Sequence, residues 1–380
     1  MSGGFYELTA SYALPGAGAT PYLEGMDDPQ LTEIDDHVVE RPFTSPKRIL
    51  ITAVTLLVIA GVIYTAWWYW LASEVREQVD GWVGQMRLDG RDAAYETLTV
   101  AGFPGDLVID IDKLEAADPN GGWRVHVSGL HALLSPWKID ALQGAFTGPV
   151  ELDLTKGAAP GRYSVTTENN LINIDRDSGG RVRAELTGVQ ATREGVPDPL
   201  TVETASVILV RGANPVYGQA TIDLRKIDLP PEMHSAFGEN VAYLKIVAEA
   251  TGAELPEGIN TGSLRKWTAD GGAVDIKQLE VRHGVLGMAG EGTMALDGDL
   301  QPIGAFTAQI SGFNEAVDAL VAVGAAREQD GALAKVVLGV LAKSPPGGGP
   351  KIVSLPLSLQ DRKLSVGPIP LIRLRPIEWE

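Results

Sequence analysis

The chain has 380 residues, 31 Lys+Arg against 49 Asp+Glu and a formal net charge of −18. An acidic excess of this size excludes phosphate-backbone recognition, so no nucleic-acid partner is expected. Hydrophobic residues at 44% are enough for a core and exclude a mostly disordered chain, and the absence of cysteine removes disulfides, zinc–thiolate sites and thiol nucleophiles.

Residues 1–48 hold eight acids and three bases with no sustained apolar periodicity. Leu14–Pro21 is loop chemistry, and Asp27 through Asp36 is solvated charge. This stretch reads as a disordered acidic cytoplasmic tail; a docking peptide for a protein partner around Leu31–Val39 is the sharper alternative.

Residues 49–71, ILITAVTLLVIAGVIYTAWWYWL, contain no charge, Pro, Asn or Gln. As a helix they cover roughly 34 Å, enough to cross a hydrocarbon core of about 30 Å. Trp67, Trp68 and Trp70 cluster at the C-terminal end like an interfacial aromatic belt, and Lys47 and Arg48 abut the other end. The run is too long for the apolar region of a cleaved signal, so an uncleaved transmembrane anchor is expected. The close flanking cations favour an N-terminus inside the cytoplasm. The expected location is the inner membrane, single-pass, with the C-terminal domain in the periplasm.

Leu71, Val75, Val79, Trp82, Val83 and Met86 recur at helical spacing, which predicts an amphipathic helix over 72–90 that continues the anchor and lays its stripe on the domain. From about Tyr95 the period changes to two. Leu107/Ile109/Ile111, Trp123/Val125/Val127, Ala220/Ile222/Leu224 and Val353/Leu355/Leu357/Leu359 alternate with neighbours that are polar or turn-forming except for Val108 and Ile352. Such alternation predicts antiparallel sheets with one apolar and one solvated face. Turns are placed at Phe103–Gly105, Pro119–Gly122, Ser178–Gly180 and Asp297–Asp299. Asn240 reads as the cap of a helix carrying Val241, Leu244, Val247 and Ala248, and Asn314–Leu341 as two helices broken near Asp330–Gly331. The expected fold is mainly β with a few helices (α+β): one N-terminal transmembrane helix, then a large antiparallel, curved β-sheet domain. Two β subdomains, 91–199 and 200–380, are expected.

The motifs of common chemistries are missing: there is no G-x-S-x-G, no H-E-x-x-H and no phosphate-binding loop. Gly290–Ala295 formally matches a dinucleotide fingerprint, but alternation runs straight through it, so its glycines mark close packing in a strand. His126 and His131 differ by five and face opposite sides of one strand, while Asp110 and Asp112 share a face that reads as solvated. No catalytic, cofactor-binding or metal residues are assigned, and no enzyme activity is expected. What remains is the apolar faces. Leu286, Met288, Met294 and Leu296 share one, with adaptable methionines and small glycines between, and form the candidate wall for an apolar ligand.

The order anchor, amphipathic helix, then Leu98–Gly105 (LTVAGFPG) resembles the start of an uncharacterised bacterial envelope family, DUF 2125. Val274–Ile276 to Leu296–Asp297, then Leu300–Gly304 and Ile310–Phe313, resemble it too, as does Leu355–Leu359 to Leu364–Pro370, so the likeness covers about 65–380. The strand–Asp-Gly–strand phrase is also similar to repeats of AsmA-like envelope proteins, a resemblance that implies long curved sheets and lipid handling. The expected function is therefore an anchored periplasmic β protein that binds or shields lipid, with membrane lipids as partners. A structural subunit linking cytoplasmic and envelope partners is the alternative.

Overall fold

The computed structural model describes residues 46–379 apart from 120, 157–158, 178, 214, 257–259, 325–326, 345–348 and 367–368. The expectations placed on residues 1–45 lie outside the described residues. One helix, α1 (Pro46–Leu88), carries the whole apolar run and continues through the amphipathic stripe without a break. The contact network divides inside it, between Val58 and Ile59, so the last apolar turns belong with the sheet.

All remaining order is built on one antiparallel meander. β1 (Asp92–Ala94) and β2 (Thr97–Ala101) lie end to end along one edge of β3 (Leu107–Asp118), followed by β4 (Trp123–Ser135) and β5 (Lys138–Leu154). β6 (Gly161–Thr166) and β7 (Asn169–Asp175) lie end to end between β5 and β8 (Arg181–Arg193). β9 (Leu200–Ala213), β10 (Val216–Asp228), β11 (Asn240–Thr251), β12 (Ala273–His283) and β13 (Leu286–Leu296) each add beside the strand before. β14 (Pro302–Ser311), β15 (Ile352–Gln360), β16 (Lys363–Val366) and β17 (Ile369–Arg373) complete it. Helix α2 (Thr261–Ala269) joins β11 to β12, and α3 (Phe313–Ala322) and α4 (Glu328–Leu341) join β14 to β15. The expected subdomain boundary near 193–199 falls on the β8–β9 hairpin, where the ladder is continuous.

A band of left-handed residues crosses the sheet. Lys113, Gly148, Gly188 and Lys226 have φ of 48°, 72°, 59° and 50°, and the break between β6 and β7 and a register shift at Val241/Tyr243 fall in the same band. Each such residue turns the following side chains over, so apolar residues that would be two apart are three apart: Ile111 and Leu114, Leu186 and Val189, Leu224 and Ile227. The apolar face is thereby kept through the bend, and Val189, Val202, Ala205 and Ile227 pack as one cluster with Leu186, Leu224, Val241 and Leu244.

Two local expectations are corrected and one element is added. Asn240–Thr251 is strand β11, not a capped helix. The three-residue step from Val241 to Leu244 imitates helical spacing but arises from the band, and Leu244, Ile246 and Ala248 resume period two. The helical block does not break at Asp330–Gly331: α3 ends at Ala322 and α4 begins at Glu328, so both residues lie inside α4, and Glu328 and Asp330 occupy its first turn, where carboxylates favour the positive end of the helix dipole. Finally, α2 was not expected; Asn260 caps it, its side chain accepting from the Ser263 amide at 2.8 Å.

Candidate functional site

Directly opposed residues of neighbouring strands share a sheet face, so the register alone defines rows that cross the sheet. One row runs Val100, Ile109, Ala132, Gly144, Ile172, Ala184, Val207, Ile222, Ile246, Leu279, Gly290, Ala308, Leu355, from β2 to β15 without a polar side chain. The row beside it, from Leu107 through Leu134, Leu142, Ile174, Val182, Leu209, Ala220, Ala248, Ile276, Gly292 and Phe306 to Leu357, is also wholly apolar. On the other flank Asn170 is opposite Leu186; its carboxamide accepts from the Phe146 amide at 2.7 Å and donates to the Phe146 carbonyl at 2.9 Å, standing in for the missing strand at the β6–β7 break.

The two ends of these rows differ in cover. At β2–β4 helix α1 lies on the face: Trp68, Leu71 and Ala72 form a buried cluster with Val100, Leu107, Ile109, Ile111, Ala132 and Leu134, and Val75 and Val79 pack against it. The expected amphipathic stripe thus meets the sheet, except that Trp82 is exposed. From β7 to β13 the row residues Ile172, Val207, Ile222, Ile246 and Leu279 are only half-buried, and Leu209 in the next row is 46% exposed.

The β13 wall takes its place on this face. Met288 is opposite Val281 and Ile310, Met294 opposite Val274 and Gly304, Leu286 opposite His283 and Leu296 opposite Pro302, and all four are half-buried. Gly292 lies against Phe306: a methyl group there would stand 2.4 Å from the Ala305 carbonyl oxygen and 2.5 Å from the Phe306 ring. The fingerprint-like segment Gly290–Ala295 is inside a strand, as its alternation indicated. Sequence reasoning marked Ala220/Ile222/Leu224 as an alternating strand but did not extend the candidate wall to it or to the rest of the row on β7–β12, although the same alternation marks Ile172/Ile174, Val207/Leu209 and Leu244/Ile246.

The reverse face carries most of the polar side chains, and His126 and His131 both lie on it: the expectation that residues five apart face opposite sides fails because the left-handed band, which passes between them at Ser128, turns the side chains over. His131 Nδ1 lies 2.6 Å from Asp110, His126 Nδ1 lies 3.3 Å from Glu115, and Thr97 donates to Asp112 at 2.5 Å. The Thr293 hydroxyl donates to Asp275 at 2.7 Å, and this bond, with the Lys277 ammonium nearby, holds the carboxyl below its ordinary range. Burial and the neighbouring Asp223 push the Tyr243 hydroxyl up. Among the described residues no three His, Asp or Glu side chains are grouped to hold a metal ion. The chemistry on offer is therefore apolar contact along the rows, without an ionisable group in the central one.

The expected membrane-interface residues divide. Lys47 and Arg48 are exposed in the first turn of α1, and Trp67 and Trp70 are exposed with ring centroids 5.0 Å apart. Trp68 instead is 2% exposed, packs edge-on against Phe103 and donates its Nε1–H to the Gly105 carbonyl at 2.9 Å. The turn that receives it needs glycine: Gly102 has φ 110°, and a Cβ there would stand 2.1 Å from the Asp106 carbonyl oxygen. Helix α1 is long and apolar enough to span a membrane.

No curated protein and no solved structure matches the chain. A family model does match, over residues 68–375, which takes in the lower part of α1 and the whole sheet, and the chain belongs to that family, described as an uncharacterized protein conserved in bacteria (DUF2125).

Proposed function

We propose that this is a single-pass inner-membrane protein, N-terminus in the cytoplasm, whose periplasmic sheet holds or shields acyl chains or similar apolar material without catalysing a reaction. The observation that carries the reading is the apolar row from Val100 to Leu355, covered by α1 at β2–β4 and left half-buried across β7–β13. A face of that kind in water is unfavourable at about 25 cal/mol per Å² of apolar area, and an acyl chain laid along it removes that cost. Lys47 and Arg48 beside the span support the orientation. The test is organic extraction and mass spectrometry of lipid from the purified full chain, compared with Ile222→Asp/Ile246→Asp. The expected result is bound lipid in the first and on the order of tenfold less in the second, a loss of about 1.4 kcal/mol of binding. Lipid-free native protein, or equal lipid in both, contradicts the reading.

A second reading, a scaffold linking partners on the two sides of the membrane, draws on α4. Leu333, Val336, Val337, Val340 and Leu341 follow helical spacing and are all exposed. If that helix is a docking face, Val336→Glu/Val340→Glu abolishes envelope function with lipid content unchanged; retained function removes this reading.

A further inference from the structure

Span arithmetic and the packing of α1 together bear on the depth at which the β domain meets the lipid. The apolar run needs about its full length, Ile49–Leu71, to cross a core of about 30 Å, since Ile49–Ile63 alone covers only about 22 Å. Yet from Tyr64 onward one side of that run is already occupied by protein. The Tyr64 ring stacks on Trp137 at 5.1 Å between centroids and lies 6.3 Å from that of Phe103, and the Tyr64 hydroxyl donates to the Pro104 carbonyl. Trp137 belongs to the β4–β5 turn and Phe103 to the β2–β3 turn, so two loops of the sheet stand at the depth of Tyr64.

The chemistry of these loops suits that depth. Trp137 is 78% exposed and Phe103 is exposed, a large apolar surface that water disfavours and the boundary between headgroups and acyl chains favours. The polar ends of Tyr64 and Trp68, which would otherwise enter lipid unpaired, are taken up by the carbonyls of Pro104 and Gly105. Charge does not hold the loops down, because Asp106 and Lys138 flank them with opposite signs and the chain is acidic.

We infer that the β2–β3 and β4–β5 turns form a membrane-inserted foot, with Phe103 and Trp137 seated in the headgroup–acyl boundary beside the aromatic belt of α1. The partner of this surface is the bilayer itself. The adjacent row Leu107–Leu134–Leu142 then begins at lipid depth, so the apolar face of the sheet meets the acyl chains at that end. The inference rests on the membrane-anchored reading above.

The absence of cysteine makes the test clean, since any introduced thiol is unique. Full-length Leu57→Cys, Lys138→Cys and Val340→Cys, each carrying an environment-sensitive fluorophore, are placed in phosphatidylcholine–phosphatidylglycerol vesicles with or without phospholipid bearing a nitroxide near the top of its acyl chain. All three positions are exposed, and Lys138 adjoins Trp137, so the substitutions leave the core and both foot aromatics intact. The expected result is quenching at 138 comparable to that at 57 and several-fold stronger than at 340, on the remote helix α4. Quenching at 57 with none above the 340 level at 138 overturns the foot and leaves the anchor standing. Quenching at none of the three overturns the anchor and the foot together.

Discussion

Ile109 and Ile222 occupy the same row of the same sheet face, yet Ile109 is 6% exposed under α1 whereas Ile222, on β10, is half-buried. Residue type and local period are alike in the two regions; the difference is cover. At β2–β4 the face is a conventional core in which Trp68, Leu71 and Ala72 complete the packing. At β7–β13 the same alternation yields a wall whose row residues are only half-buried among the described residues. A sheet face thus becomes sealed core or half-open wall according to what is laid on it, and among the described residues α1 packs on the first strands.

The largest expected effect comes from breaking the sealed end. Leu107, at 0% exposure, is among the most buried side chains, and Leu107→Ala should cost about 3 kcal/mol through lost contacts and the cavity left behind. Ile222→Ala on the open wall should cost about 1 kcal/mol, because its side chain is already partly in contact with solvent. Urea unfolding of the two full-length variants checks this, and equal costs would mean that the wall is as well packed as the helix-covered core.

The band of left-handed residues crosses both regions and gives a smaller, shared effect. Lys226 holds φ 50° with an exposed ion pair to Glu203 at 2.5 Å that contributes little. Lys226→Gly should be neutral to stabilising, within about 1 kcal/mol, whereas Arg225→Gly at the neighbouring extended position should destabilise by about 1 kcal/mol. The same contrast is expected for Lys113→Gly against Asp112→Gly in the sealed region, read in the same unfolding experiment.

The smallest effect lies on the reverse face. Asp275 has its folded pKa below the ordinary value, so its contribution to stability is present above the carboxylate range and is lost as pH falls through the folded pKa. Thr293→Val removes the main cause, and the Asp275 carboxyl should titrate at higher pH, followed by the NMR shift of its carbon. Binding of an apolar probe to the opposite face should not change; if it does, the two faces are not independent.

Much of this was legible in the chain. The anchor, its continuation as one amphipathic helix, the antiparallel sheet and several turns follow from apolar run length and from period two, which are local properties. Strand β11 was not legible, because the bend places Val241 and Leu244 three apart and local spacing then favours a helix. Nor was the role of Trp68 separable from those of Trp67 and Trp70: all are indoles on one short stretch, and only the contact with Phe103 and Gly105, which is far away in sequence, decides which one is buried. The β13 wall was found because its methionines and glycines stand out, but the row it belongs to depends on register across the sheet, which no single strand encodes.

The claim that the β7–β13 face holds acyl chains is tested most directly by two adjacent residues of β10 that face opposite ways. With a benzophenone amino acid at Ile222, on the apolar row, and separately at Thr221, whose row runs through Arg183 and Gln278 by way of Ile208 and Val247 on the reverse face, ultraviolet irradiation of cells should crosslink phospholipid at 222 and not at 221. No lipid adduct at 222, or equal adducts at both positions, would contradict the account.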